Sequence, residues 1–205
     1  MDSCSKTILV IETSPRKESA SSTAAASVAR MLARSCADVV RASQRELPFV
    51  PAGLDYGDYP AEIGKLIGAV DDADAVVLAV PVHRYAVAGL ARNVVELLGD
   101  AIKGKLVLPI VAAGSRRSTL VAQAFQADLL LNFNCRAMRA VLVSPDVDVE
   151  ELDRRISQAA EQVCSELGVG LGRDAAWGDV RIPRELLAPS GPSRHVSRNS
   201  MGSRT

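Results

Sequence analysis

A regular alternation of short apolar runs and longer segments of helical spacing is the feature that most constrains the fold. The runs at 7–12, 37–43, 74–82, 105–113 and 138–144 are of strand length and rich in β-branched residues. Segments of helical spacing occupy 21–35, 61–70, 88–102, 119–133 and 149–167. Strands joined by crossover helices form a parallel sheet covered on both faces. The sequence therefore predicts an α/β fold, a three-layer sandwich around a five-stranded parallel sheet.

Length and charge narrow the class of protein. The chain has 205 residues, of which 48% are hydrophobic, and 24 basic side chains balance 24 acidic ones. We expect one core and one domain, residues 1–187. A neutral chain without a dense basic stripe argues against nucleic acid or an anionic membrane as the main partner.

The last residues, 188–205, are rich in Pro, Gly, Ser and Arg, with little to bury. We predict a disordered C-terminal tail there. Its arginines leave a weak anion-binding role open, but the composition favours a solvated tail.

Two further patterns predict a cytoplasmic protein. No apolar stretch approaches the roughly 20 residues of a membrane span, and the first residues lack a secretory signal pattern. The four cysteines lie far apart without a CxxC pair: Cys4, Cys36, Cys135 and Cys164. We therefore expect reduced, inert thiols, with neither a disulfide nor a metal site.

The loop after the first predicted strand carries the residues SPRKESASS, from Ser14 to Ser22. In a parallel sheet, a loop that joins a strand to a helix N-terminus is a preferred phosphate site. Ser14, Ser19 and Ser21 offer hydroxyl donors, and Arg16 offers a fixed positive charge. Neither a dinucleotide-binding nor a triphosphate-binding glycine motif is present, so a single terminal phosphate is the better prediction. The alternative is that Ser19 or Ser21 only caps the helix.

A second motif accompanies the SPRKESASS loop. It comprises residues 79–115, with the sequence AVPVHRYAVAGLARNVVELLGDAIKGKLVLPIVAAGS. Together they resemble the flavodoxin-like NAD(P)H-dependent FMN reductases, most closely the reductases of sulfonate monooxygenase systems. That family has a G-S-x-R-x-x-S-x-S loop, a T-P-x-Y-x-x-x-x-x-G-x-L-K-N signature and a G-K-x-V strand, in this order. The resemblance covers about residues 6 to 165. It implies a flavodoxin-like fold, FMN as cofactor, and NADPH or NADH as the hydride donor.

The resemblance also implies which residues hold the cofactor. The phosphate site is Ser14, Arg16, Ser19 and Ser21. The loop beside the ribityl chain and ring is Pro81, Val82, His83, Arg84 and Tyr85, and the loop near the pyrimidine edge is Ala113, Gly114 and Ser115. Arg116 and Arg117 are open either as contacts for a nicotinamide nucleotide or as solvated side chains. No catalytic side chain is implied, because the flavin performs the chemistry.

Several residues depart from the family pattern. Glu12 and Thr13 stand where the family has a small residue and glycine. Glu12 either forms an ion pair with Arg16 or Lys17 and leaves the phosphate site intact, or the two residues close it. His83 and Arg92 replace the usual tyrosine and lysine. Phe125 replaces a tyrosine in a helix associated with tetramer packing, and we expect it to be buried at a subunit contact.

These observations leave two functions. The first is an FMN reductase that supplies reduced flavin to a partner monooxygenase or reduces a small acceptor, and that forms a homodimer or homotetramer. The second is a flavodoxin-like protein that has lost flavin binding and acts as a structural or accessory subunit. Flavodoxin-style electron carriage is disfavoured, because such carriers are strongly acidic and this chain is neutral.

Overall fold

The computed structural model describes residues 6–35, 37–43 and 47–170. The strands are β1 (Lys6–Glu12), β2 (Ala37–Ser43), β3 (Ala75–His83), β4 (Ala86–Val87), β5 (Leu106–Ala112), β6 (Arg136–Ala137) and β7 (Val141–Val143). The helices are α1 (Ala20–Leu32), α2 (Ala61–Asp72), α3 (Gly89–Leu98), α4 (Thr119–Leu131) and α5 (Val149–Leu167). The predicted domain boundary at residue 187 and the predicted tail lie outside the described residues.

The sheet has the order β2-β1-β3-β5, with β6 and β7 following one another along the outer side of β5. All of these pairings are parallel, and only the short β4 runs antiparallel, to the end of β3. The predicted parallel sheet and its flavodoxin-like order are confirmed. Because β2 pairs with one side of β1, and β3 and then β5 follow on the other side, the order places β1, β3 and β5 side by side in the centre.

The fifth predicted strand, 138–144, forms only as β7 (Val141–Val143), and the separate short strand β6 (Arg136–Ala137) precedes the predicted range. Leu106 and Val107 pair with β6, and Ile110 to Ala112 pair with β7. The register advances by one extra residue between the two pairings, as in a β-bulge. Pro109, which has no N–H to donate, lies in the part of β5 opposite the interruption.

Both faces of the sheet are covered. Side chains from alternate positions of β1 enter two cores, Ile8 and Val10 with α1 and α5, and Leu9 and Ile11 with the helices of the other face. Phe125 of α4 belongs to the second core and is 4% exposed within a single chain. The expectation that it lies at a subunit contact was therefore wrong: its ring fills the core of its own subunit.

Three helices end earlier than their periodicity predicted, and of these α4 ends at Leu131 instead of residue 133. Helix α1 ends at Leu32, and residues 33–35 form a turn in which the Ser35 N–H donates to the Leu32 carbonyl at 2.9 Å. Helix α3 ends at Leu98 because Gly99 adopts a φ of 47°, and a short 3-10 helix follows. Within the ranges given above, no helix combines the length and apolarity needed to cross a membrane.

Candidate functional site

The three loops singled out in the sequence follow three neighbouring strands. They leave β1, β3 and β5 at their carboxyl ends, and these strands are adjacent in the sheet. Ligands of open α/β sheets bind at this edge. The topology therefore brings all three predicted loops to one side of the molecule.

The first loop places hydroxyls around the start of α1. Ser14 and Ser21 are 3% and 1% exposed, and Ser19 is partly buried. The Arg16 N–H donates to Ser14 Oγ at 3.2 Å, which folds the loop back on itself. Ser19 is the N-cap of α1, and its Oγ accepts from the Ser22 N–H at 3.1 Å. The capping role considered for this loop is thus confirmed for Ser19.

The loop offers further hydrogen-bond donors beside the Ser19 cap of α1. Ser19 Oγ lies 3.2 Å from Ser21 Oγ and donates to Ser22 Oγ at 3.0 Å, so the hydroxyls form one connected cluster. The first turn of α1 contains no acidic residue, and the Arg16 side chain is exposed. A helix N-terminus with hydroxyls and a guanidinium is a donor set that suits a phosphate monoester. The residues present therefore fit the phosphate of FMN.

Glu12 and Thr13, the two departures from the family pattern, both have partners in the sheet. Thr13 donates twice to the Ala79 carbonyl, from its N–H at 3.0 Å and from Oγ1 at 2.8 Å, and is fully buried. The Glu12 side chain, 5% exposed, forms an ion pair with Arg41 of β2. The sequence pattern predicted Arg16 or Lys17 as the partner of Glu12. Arg41 supplies the compensating charge, and Thr13 extends the β1–β3 ladder.

The second loop is a tight hairpin at the end of β3. Val82 pairs with Val87 and His83 with Ala86, so that Arg84 and Tyr85 form a two-residue turn. Both turn residues have positive φ, 50° and 61°, a region that non-glycine residues adopt at a cost. Their side chains are exposed, and Tyr85 reaches 66%. The strained turn holds an aromatic ring and a guanidinium at the carboxyl edge.

The third loop is anchored to the neighbouring strand and to the α5 side of the sheet. The Ala113 N–H donates to the Val143 carbonyl at 2.9 Å, and the Arg116 N–H donates to Asp146 Oδ2 at 2.9 Å. Gly114 is exposed and Ser115 is partly buried. The side chains of Arg116 and Arg117 are exposed, so the structure is compatible with either of the two alternatives considered for them.

Arg92, which replaces the usual lysine, joins two helices. It forms ion pairs with Glu96 at 2.9 Å and with Asp128 of α4, and its guanidinium carbon lies 5.5 Å from the centre of the Phe133 ring. The hydrogen bond with Glu96, aided by the charge of Asp128, raises the pKa of Arg92. In this chain the position connects α3 to α4.

Three contacts that support the candidate site leave no recognisable pattern in the sequence. The contact of Arg41 with Glu12 depends on the register of β1 and β2, in which Val10 lies opposite Arg41 and Glu12 lies opposite Ser43. The sequence alone does not give this register. Asp146 braces the third loop from an irregular segment that shows no periodicity. Asn93 of α3 donates from Nδ2 to the Val50 carbonyl at 2.9 Å and so fastens the loop after β2.

Comparison with known proteins gives consistent results. A protein-family model described as NADPH-dependent FMN reductase matches residues 7–149. The NADH-dependent FMN reductase SfnF of Pseudomonas fluorescens (strain Pf0-1) is 29% identical over 128 residues, which are 58% of this chain and 68% of that protein.

Solved structures share the fold. The apo form of the NADH:FMN oxidoreductase EMOB has a TM-score of 0.66 and 20% identity, covering 82% of this chain and 92% of its own. An oxidoreductase from Corynebacterium diphtheriae has a TM-score of 0.65 and 23% identity, with coverages of 80% and 97%. For FerB, an NAD(P)H:acceptor oxidoreductase from Paracoccus denitrificans, the TM-score is 0.58 and the identity 19%, with coverages of 78% and 96%.

Proposed function

The chain belongs to the NADPH-dependent FMN reductase family, and from this premise we propose how its residues bind FMN and where the reduced flavin goes. Its reaction is NAD(P)H-dependent reduction of FMN. The donor cluster at the start of α1 is the observation that carries the proposal, because it offers hydroxyls and a guanidinium with no carboxylate in the first helical turn. We assign Ser14, Arg16, Ser19 and Ser21 to the FMN phosphate.

The other two loops then receive the rest of the flavin. Pro81, Val82, His83, Arg84 and Tyr85 border the ribityl chain and ring, and Ala113, Gly114 and Ser115 border the pyrimidine edge. The strained turn at Arg84 and Tyr85 supports this assignment, since strain of this kind is retained where a side chain must be held in place. The strand order, which puts the three loops on neighbouring strands, is a second support.

Bound FMN supplies the hydride-accepting chemistry. The residues of the chain anchor the phosphate, orient the ring toward the nicotinamide and limit the access of water. No side chain is required as acid or base. NADPH and NADH are both open as donors, and the exposed Arg116 and Arg117 beside the third loop are candidate contacts for a nucleotide phosphate.

We infer that the reduced flavin is passed to a partner monooxygenase or reduces a small acceptor directly. The sequence resemblance to reductases of sulfonate monooxygenase systems supports the first route. Three side chains of the second loop, His83, Arg84 and Tyr85, are exposed, which is compatible with a flavin that enters and leaves. The dependence on NAD(P)H favours the cytoplasmic location expected from sequence.

We also infer a homo-oligomer that uses the outer face of α4. Leu120 and Leu131 are 74% and 81% exposed, and the exposed Ala124 and Ala127 lie on the same helical face between them. The opposite face of α4 packs into the core, so this helix is apolar on both sides. An apolar stripe of this kind marks a subunit contact. Light scattering of wild type and of Leu120→Lys/Leu131→Lys should show an oligomer and a monomer, respectively.

Anaerobic mixing of the purified protein, FMN and either nicotinamide nucleotide tests the reductase function. We expect loss of the visible absorption of oxidised flavin, at a rate that depends on enzyme concentration. Nicotinamide and FMN without protein provide the control. If the protein neither binds FMN nor accelerates the loss, the accessory-subunit alternative replaces the reductase.

A further inference from the structure

We propose that the groove between α4 and α5, along the outer edge of β7, binds an extended acidic peptide of a partner protein. The groove has a volume of about 510 Å³ and is lined by α4, by α5 and by residues 139–142 between them. It lies on the lateral edge of the sheet, whereas the three flavin loops lie at its carboxyl edge. The proposal does not depend on flavin binding.

The floor of the groove is an open strand edge. On one side β7 pairs with β5, from Val141 opposite Ile110 to Val143 opposite Ala112. Within the part of the chain that the structure describes, no strand pairs with its other side. An edge of this kind accepts an extended peptide through main-chain hydrogen bonds. The three-residue length of β7 means that side chains of the walls must supply further contacts.

Glutamines line both walls. Gln123 and Gln126 come from α4, and Gln158 and Gln162 come from α5. Gln158 Oε1 accepts from Arg154 at 2.9 Å, while the other three amides make no side-chain hydrogen bond to the described residues. Each amide offers both donors and an acceptor, as the peptide backbone does. This lining suits a peptide better than a simple anion, which needs donors only.

The groove carries excess positive charge. Three arginines, Arg139, Arg154 and Arg155, line it together with the single carboxylate of Glu151. Glu151 accepts from Nε and Nη2 of Arg154 at 2.8 and 2.6 Å and from Nε of Arg155 at 2.6 Å. Arg139 is exposed and has no ion-pair partner among the described residues. The unneutralised guanidinium groups select a peptide with carboxylates.

Charge also argues against this chain's own C-terminal residues as the occupant. Residues 171–205 contain six arginines and three carboxylates, so they have the same sign as the groove. A peptide from another protein, with carboxylates on alternate positions, is complementary to the strand edge and to the arginines. Alternation places its charged side chains on one side of the added strand.

Fluorescence anisotropy tests the proposal with the full-length protein and a labelled peptide that alternates Glu and Thr. The comparison peptide has Lys in place of Glu. The test variant is Arg139→Glu, and Lys65→Glu on the exposed surface of α2 is its control, because it makes the same change of charge outside the groove. Hydrogen exchange at residues 139–142, with and without peptide, reports on the strand edge.

We expect micromolar binding of the Glu peptide, weakened about tenfold or more by Arg139→Glu and by Lys in the peptide, and less than about twofold by Lys65→Glu. Exchange at 139–142 should slow in the complex. Equal binding of both peptides, equal effects of the two variants, or no binding at about millimolar concentration would overturn the proposal. The proposal would also fail if Arg139→Glu dissociated an oligomer, because the groove would then be a contact between copies of this chain.

Discussion

Glu12 and Arg41 form an ion pair between β1 and β2, next to the loop that we assign to the FMN phosphate. The carboxylate is buried, whereas the guanidinium is half exposed, so Arg41 neutralises a charge that would otherwise oppose a phosphate. We predict that Arg41→Ala lowers the free energy of unfolding by about 1–3 kcal/mol and weakens FMN binding several-fold. Urea unfolding and FMN titration measure the two effects.

The double variant Glu12→Gln/Arg41→Ala is the control for that prediction. It removes the carboxylate together with its partner, so both losses should be partly recovered. If the double variant is no better than Arg41→Ala alone, the ion pair does not protect the phosphate site.

The strained turn at Arg84 and Tyr85 predicts that relieving its strain makes the protein more stable and weakens the binding of FMN. Because glycine adopts a φ of 61° without strain, Tyr85→Gly should stabilise the protein by about 1 kcal/mol. It should also weaken FMN binding, since it removes an exposed ring from the second loop. Asn134→Gly is the control, because Asn134 also has positive φ but lies just before β6, at the other end of the sheet. Unchanged FMN affinity in Tyr85→Gly would show that the Tyr85 ring does not contribute to FMN binding.

The pairing of Lys6 with Asp74 predicts a pH-dependent contribution to stability. Lys6 Nζ and the Thr7 N–H each donate to the carboxylate at 2.9 Å, and these bonds, led by that from Lys6, lower the pKa of Asp74. The contribution is therefore present at neutral pH and is lost as the pH falls through this lowered pKa. Asp74→Asn should lower the free energy of unfolding by about 1 kcal/mol at neutral pH and by much less at a pH below the lowered pKa of Asp74. Urea unfolding at both pH values measures this, and a cost independent of pH would contradict it.

Burial makes two cysteines poor nucleophiles. Desolvation raises the pKa of Cys135 to about 11, and burial also raises the pKa of Cys164. In Cys4→Ser/Cys36→Ser, which leaves only these two thiols, we expect slow labelling by a disulfide reagent at about pH 8. Unfolding in urea should make labelling fast. Rapid labelling of the folded protein would show that the thiols are accessible.

The sequence predicted the fold closely because each strand and helix carries its own pattern. Helix α5 occupies 149–167, as its periodicity indicated, and the buried strands β3 and β5 differ from prediction by one residue at each end. The break between β6 and β7 was missed because it depends on pairing with the part of β5 that contains Pro109. The strand alone shows no sign of it.

The loops of the candidate site could be proposed from the sequence, whereas the contacts that support these loops could not. Ser14, Arg16, Ser19 and Ser21 follow a strand and precede a helix, which a local pattern reveals. The contacts of Glu12 with Arg41 and of Thr13 with Ala79 join residues that are far apart along the chain. They depend on strand register, so local sequence could not separate an intact phosphate site from one closed by a carboxylate.

FMN titration of Arg16→Ala beside Lys17→Ala tests the central claim most directly. Both residues are exposed in the same loop, and both substitutions remove one positive charge. We predict that Arg16→Ala weakens FMN binding by about 1.5–3 kcal/mol, whereas Lys17→Ala has a much smaller effect. Equal effects, or no binding of FMN by the wild-type protein, would contradict the assignment of this loop to the flavin phosphate.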